Sequence, residues 1–244
     1  MLPFCRAALR KGAGMLKRLI RALFAPRCCV CSGRISEEYI YKEYKNVCIC
    51  KNCFEALDRT PADSLFPGTR HLDFLTAPFY YTGEYRRIFL QFKFSGFFAY
   101  GHIIGQAACE YFSAHKVLAE YDCIVPVPLT RARLNRRGFD QAALLAEHFA
   151  EGIGIPVQRA LERTEEGEIQ SRLSGAARAE NIRDSFAVCS DVKGMRIIIA
   201  DDVFTTGSTM NECARVLREA GAEDVCGAAA AVVLRKPRSE ADIF

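Results

Sequence analysis

The sequence predicts an α/β domain built on a parallel sheet, preceded by a small cysteine-held unit. Short aliphatic runs alternate with helical patterns from residue 77 onward, and a strand–loop–helix unit spans Arg196 to Glu219. Two CxxC pairs crowd the segment from Cys28 to Cys53. The 244 residues, 50% of them hydrophobic, suffice for one medium domain and an appendage, so a soluble globular protein is expected. No run of about 18 apolar residues occurs, which argues against a membrane-spanning helix.

Charge is concentrated at the amino end. The net charge is +4, yet residues 1–60 hold twelve Lys or Arg against five Asp or Glu. Residues 6–24 place Leu9, Leu16, Leu19, Ile20 and Leu23 at helical spacing, with Arg10, Lys17, Arg18 and Arg21 largely on other faces. This basic amphipathic helix either packs on its own domain or contacts nucleic acid or a membrane surface. Arg and Lys interrupt every apolar stretch of the first 25 residues, which does not suit a secretory signal. A reducing cytoplasm is therefore expected, where clustered cysteines bind metal and scattered ones fill cores.

The stretch from Cys28 to Cys53 is poor in large aliphatic side chains and needs a staple other than a core. Cys28, Cys31, Cys50 and Cys53 supply two CxxC pairs, and four thiolates at this spacing can close a tetrahedron about Zn²⁺. Cys29 and Cys48 leave the set open, since Cys48 and Cys50 form a CxC that can replace one pair. Iron or a redox dithiol are the alternatives to structural zinc. Cys5, Cys109, Cys123, Cys189, Cys213 and Cys226 read as core fillers, and His71, His102, His115 and His148 are isolated. The basic helix and cysteine unit thus occupy 1–60, and the main domain 77–244. Between them, residues 60–76, with Pro61, Pro67 and Gly68, read as a linker.

Within the main domain a strand and turn are expected over Ala77 to Tyr85, then helices over Tyr85 to Phe94 and Tyr100 to Leu118. Cys123 to Pro128 is a buried strand that Pro128 ends. A helix over Phe139 to Glu151 and a short strand over Pro156 to Ala160 follow, and then a long polar loop over Glu162 to Ser185. Strands at Phe186 to Cys189, Arg196 to Ala200 and Val225 to Val233, with a helix from Thr209 to Glu219, complete the alternation.

The unit from Ile197 to Thr209 carries the chemistry. Backbone N–H groups of Thr205, Thr206, Gly207, Ser208 and Thr209, aided by the hydroxyls, can wrap a phosphate at the positive end of the following helix. Gly207 permits close approach of the backbone. Asp201 and Asp202 do not suit a phosphate dianion, but they suit a ribose diol or a metal bound to it. A phosphorylated ribose meets both demands. The competing reading, acids that merely cap a helix, is disfavoured by the lack of a P-loop lysine and of GxGxxG. Arg131, Arg133, Arg136 and Arg137 put four cations within seven residues, which matches an anionic leaving group or forms an exposed basic patch. Lys93 lies among Phe89, Phe92, Phe94, Phe97 and Phe98. It either points into a ligand cleft or lays its stem on apolar surface.

Ile197 to Thr209 resembles the signature of type I phosphoribosyltransferases. Val125-Pro126-Val127-Pro128-Leu129, Arg131 and the run from Arg136 to Ala142 resemble the ComF family of late-competence proteins, as do Gln170, Leu173, Arg178, Asn181 and Phe186. The likeness extends to Tyr81 to Lys93 and to the cysteine pairs, and so covers nearly the whole chain. It implies a type I phosphoribosyltransferase fold with a five-stranded parallel core, preceded by a zinc ribbon whose second pair is Cys50 and Cys53.

The resemblance further implies binding of phosphoribosyl pyrophosphate with Mg²⁺, with a pyrophosphate loop at Val127, Pro128, Leu129 and Arg131. Arg137 joins it there, and Arg178, with Arg172, comes from a catalytic lid over 162–185. Transfer to an acceptor follows, whose identity the hood over 77–118 does not spell out. The family also implies a part in DNA uptake, with single-stranded DNA and a competence helicase as partners; a nonenzymatic adaptor that uses the sugar-phosphate site as a sensor is the alternative. Two positions depart from the family: Phe204 stands where an aliphatic residue is usual, and Asp140 where Asn is more frequent.

Overall fold

The structure is a computed structural model that describes residues 27–35, 40–44, 47–94, 98–164 and 184–233. The basic helix over 6–24, Arg172 and Arg178 lie outside the described residues, as do Gln170, Leu173 and Asn181. The chain divides into two compact units, Met1–Ala56 and Leu57–Phe244.

In the first unit β1 (Ile40–Tyr44) and β2 (Val47–Cys50) form an antiparallel hairpin, and the short helix α1 (Lys51–Glu55) follows directly. Bridges from Cys28 to Cys48 and from Arg27 to Arg34 fold the preceding segment onto it. Among its described residues the buried large side chains are Val30, Ile35, Ile49 and Phe54.

The second unit is a mixed sheet with helices. β3 (Phe66–Pro67) runs antiparallel to β4 (Phe74–Thr76), and β4 and then β5 (Phe79–Tyr80) pair parallel with one edge of β10 (Asp224–Val232). Next in the sheet are β9 (Arg196–Phe204) and β6 (Cys123–Pro126), both parallel. Helix α2 (Gly83–Phe94) follows β5, α3 (Phe98–Phe112) leads to a 3₁₀ turn at Lys116–Glu120, and α4 (Arg131–Arg137) follows β6. After α5 (Gln141–Ile153), β7 (Leu161–Arg163) pairs antiparallel with β8 (Phe186–Val188) in a separate ribbon, and α6 (Ser208–Glu219) joins β9 to β10.

Ile197, Ile198, Ile199 and Ala200 are all 0% exposed. Successive strand residues face opposite sides of a sheet, so both faces of β9 are covered, as a continuous aliphatic run demands. Ile197 and Ile199 share a cluster with Met210, Cys213 and Leu217 of α6, and α5 packs on β9 and β6.

Four sequence expectations are corrected. Residues 60–76 are not a bare linker: they contain β3 and β4, and Leu72 and Leu75 are buried, but strands this short show no alternation to read. The helix expected to reach Leu118 ends at Phe112 and resumes as the 3₁₀ turn. The segment Pro156 to Ala160 makes only an isolated bridge, Val157 to Ile124. The polar loop expected from Glu162 begins with β7, and β8 pairs with β7 outside the parallel core.

Candidate functional site

The carboxyl end of β9 turns into α6 through Thr205, Thr206 and Gly207. Gly207 adopts φ 79°, and a Cβ there would lie 2.6 Å from the Phe204 ring and 2.8 Å from Thr69 Cγ2. Both the left-handed backbone and the lack of space require glycine. As the residue before α6, Gly207 offers no side-chain cap, so the first N–H groups of α6 face outward at its positive end. Thr206 Oγ1 and Ser208 Oγ lie 2.9 Å apart, and Asn211 N donates to Gly207 O at 2.8 Å. Asp201 and the residues from Val203 to Met210 line a small open basin.

Asp201 and Asp202 stand at the mouth of this turn. Asp201 Oδ1 accepts from Asp202 N and Asp202 Oδ1 from Val203 N, each at 2.7 Å, which fixes both carboxylates at the strand end. Burial, and next the charge of Asp202, push the Asp201 carboxyl well above the usual carboxylate range. Lys93 Nζ from α2 reaches Asp202 Oδ2 at 4.0 Å and lies over the Phe89 ring. The Lys93 stem thus rests on aromatic surface while its ammonium faces Asp202.

Val127 is anchored by its N–H to Ala200 O at 2.9 Å, and Pro128 and Leu129 follow half-buried. Thr130 caps α4 by accepting from Arg133 N at 3.2 Å. The four arginines thus lie on a helix that the sequence did not reveal, with Arg131 and Arg136 exposed. Arg137 is half-buried, and its guanidinium donates to Gln141 Oε1 at 2.5 Å. Burial lowers its pKa, opposed by the charges of Asp202 and Asp201, so Arg137 sits within electrostatic reach of both acids. Lys93 of α2 thus faces the acid pair of β9, and Phe139, two residues after Arg137, packs on the neighbouring Phe92 with ring centroids 5.4 Å apart. Asp140 caps α5 by accepting from Ala143 N at 3.0 Å, a role in which Asp and Asn serve equally. The Phe204 ring packs over Gly207 and against the core.

Thr69 carries no sequence signal of its own, and Gln141 and Tyr85 stand out only as members of the runs Arg136 to Ala142 and Tyr81 to Lys93. Gln141 and Tyr85 are each 1% exposed, and Tyr85 feels the charge of Asp202. Thr69 presses on Gly207, with its hydroxyl buried. Only the fold assembles them, although the glycine before Thr69 marks a close approach: a Cβ at Gly68 would lie 1.8 Å from Leu72 O.

In the first unit the Sγ atoms of Cys28, Cys31, Cys50 and Cys53 all lie within 4.8 Å of one another. A tetrahedral Zn²⁺ with bonds of about 2.3 Å needs sulfur separations of about 3.8 Å, so the set fits a metal ion and is compatible with a zinc ribbon. Burial alone would raise the Cys28 thiol, but backbone N–H groups of Cys50, Cys31 and Val30 outweigh it and bring the pKa to about 7. Such N–H···S bonds, here from Val30 and Cys50 at 3.4 Å, stabilise a thiolate ligand. Cys29 and Cys48 fall outside the group: burial lifts the Cys29 thiol to about 12, and Cys48 donates to Arg27 O. None of the described cysteines forms a disulfide, and no helix among the described residues is long and apolar enough to cross a membrane.

A profile of the phosphoribosyl transferase domain matches residues 134–243. Unit two carries a phosphoribosyl transferase domain. The match takes in the β9 acids, the glycine turn and α6. The ComF resemblance also holds in the relatives this chain matches. Competence protein F of Haemophilus influenzae is 34% identical over 108 residues, 43% of this chain and 47% of that protein. Competence protein ComFC of Streptococcus pneumoniae is 32% identical over 152 residues, 61% of this chain and 64% of that protein. DNA utilization protein YhgH of Escherichia coli K12 is 38% identical over 105 residues, 43% of this chain and 46% of that protein. The chain thus spans about half to two thirds of the length of these curated relatives. Similar solved structures include phosphoribosylpyrophosphate synthetase from Mycobacterium smegmatis, with 26% identity, 55% of this chain and 34% of that chain covered, and a TM-score of 0.35. The purine phosphoribosyltransferase from Pyrococcus horikoshii has 19% identity, 57% and 79% coverage, and a TM-score of 0.33.

Proposed function

We propose that the protein binds phosphoribosyl pyrophosphate with Mg²⁺ at the end of β9 and transfers the phosphoribosyl group to an acceptor. The observation that carries this reading is the pairing of an acid pair with an uncapped, glycine-gated helix start in one turn of a phosphoribosyl transferase domain. In this reading N–H groups of Thr205 to Thr209 hold the 5-phosphate, and Asp201 and Asp202 hold the ribose diol. The segment from Val127 to Arg131, together with Arg137 and Lys93, holds the pyrophosphate end. Mg²⁺ supplies neutralisation of the pyrophosphate charge.

The bond from C1 of the ribose to the pyrophosphate oxygen breaks, a bond from C1 to an acceptor nitrogen forms, and that nitrogen loses its proton. The sugar passes through a cationic state, so the protein acts by positioning and by stabilising the leaving anion. Arg178, in the segment that joins β7 to β8, is proposed to complete the pyrophosphate contacts. Release of pyrophosphate on addition of the donor with nucleobase, nucleotide or single-stranded DNA acceptors is the test. Donor binding without release for every acceptor would leave a binding protein and end the transferase reading.

A second reading is favoured by the relatives' names and by the cysteine group. Here the protein serves DNA uptake in the cytoplasm as an adaptor to single-stranded DNA or a helicase, with structural zinc in the first unit and the sugar-phosphate site as a sensor. Binding of single-stranded DNA through Lys and Arg must weaken steeply with salt. Absent or salt-insensitive binding in an electrophoretic assay removes the nucleic-acid part. Transformation by cells that carry Asp201→Asn and Asp202→Asn separates the readings from a pure scaffold, which those substitutions leave intact.

A further inference from the structure

Two N–H donors stay buried without an acceptor where α4 meets α5. Arg137 Nε and Gln141 Nε2 are both shielded from solvent and make no hydrogen bond. A buried donor left unpaired costs about 1–3 kcal/mol, so two side by side call for a reason. Gln141 is 1% exposed and is the first residue of α5, while Arg137 is the last of α4. Gly138, at φ 76°, lets the chain reverse between them, and the two side chains meet across that turn.

Their one mutual bond fixes the direction of the amide. Arg137 donates from its terminal nitrogen to Gln141 Oε1 at 2.5 Å. With the amide turned over, its NH₂ would face the guanidinium N–H, donor against donor. The NH₂ end is therefore held away from that nitrogen, and it is this end that lacks a partner.

The unpaired groups identify the chemistry they await. Both donate and neither accepts, so the missing partner is an acceptor oxygen, and beside a guanidinium it is anionic. Phe139, between the two residues, packs on Phe92 of α2 with ring centroids 5.4 Å apart, and the next residue, Lys93, reaches Asp202 at 4.0 Å, so the pair borders the acid pair of the sugar-phosphate site. Those carboxylates already accept backbone N–H groups of Asp202 and Val203.

We propose that Gln141 is a pyrophosphate-binding and positioning residue: its Oε1 holds Arg137 in place, and its Nε2 donates to the same phosphate group as Arg137 Nε. The assignment rests on the reading that this site takes phosphoribosyl pyrophosphate.

The test is calorimetric titration of the full chain with three probes, each with Mg²⁺: phosphoribosyl pyrophosphate, inorganic pyrophosphate and ribose 5-phosphate. Gln141→Ala is expected to weaken the first two by about tenfold or more and to leave ribose 5-phosphate within about twofold. Gln141→Glu is nearly isosteric and keeps an acceptor for Arg137, but it replaces the amide donor with an anion. It is expected to lose at least as much pyrophosphate affinity as the Ala variant, and it carries the test if the Ala variant does not fold. A residue that only braces Arg137 would be rescued by Glu. Rescue by Glu, equal loss of all three probes, or unchanged binding in both variants overturns the assignment while leaving the donor site standing. A wild-type protein that binds none of the three probes overturns the donor site as well.

Discussion

Lys93 Nζ stands 4.0 Å from Asp202 Oδ2, which ties helix α2 to the acid end of β9. The separation is at the limit of an ion pair and the lysine is 31% exposed, so the contact contributes less than about 1 kcal/mol to stability. Its expected weight lies in the charge it brings to the ligand. Lys93→Met, which keeps an apolar stem over Phe89, is expected to shift the melting temperature little and to weaken phosphoribosyl pyrophosphate binding by about three- to tenfold. A variant with wild-type affinity in calorimetry would take Lys93 out of the site.

Asp201 trades stability for ligand. Partial burial and the neighbouring Asp202 charge push its carboxyl well above the usual carboxylate range. The folded state therefore holds a proton that the unfolded chain releases near pH ~4. Below that pH the carboxyl is protonated in both states and costs nothing. As the pH rises toward the folded-state value, stability falls. Asp201→Asn removes the penalty. In scanning calorimetry without ligand it should melt above wild type at about pH 8, with the gap closing toward about pH 4. A gap independent of pH would contradict the burial argument.

Gly207 tolerates no side chain. The strain of a left-handed alanine, and its clash with Phe204 and Thr69, should make Gly207→Ala about 1–3 kcal/mol less stable in denaturant titration. Phosphate affinity should fall with it, since the turn must open to make room. An alanine variant as stable as wild type would mean that the turn is looser than described.

The four-cysteine group predicts one bound zinc per chain. Cys31→Ser and Cys53→Ser should lose the metal in elemental analysis, whereas Cys29→Ser and Cys48→Ser should keep it, because only the first two belong to the group. Retention in Cys53→Ser with loss in Cys48→Ser would move the site to the alternative CxC pairing.

The glycine turn could be read in advance because its chemistry is local: strand, acids, hydroxyls and helix start follow one another from Ile197 to Thr209. The CxxC pairs carried a similarly local signal, and only the choice among six cysteines needed a structure. Helix α4 was illegible for a physical reason. Arg131 to Arg137 buries no residue, so it has no apolar stripe, and its only signals are the Thr130 cap and Gly138. Strands β3 and β4 are two and three residues long, too short for a period to show. Gln141 and Thr69 reach the site through contacts that depend on the assembled fold, and no spacing rule joins them to Asp201.

Whether the end of β9 holds phosphoribosyl pyrophosphate is decided by isothermal titration with the donor and Mg²⁺. Wild-type protein is expected to bind one donor per chain, and the paired substitution Asp201→Asn with Asp202→Asn to weaken binding by about a hundredfold while the fold is retained. No binding by wild type, or equal binding by the paired variant, would rule out a donor site at the end of β9.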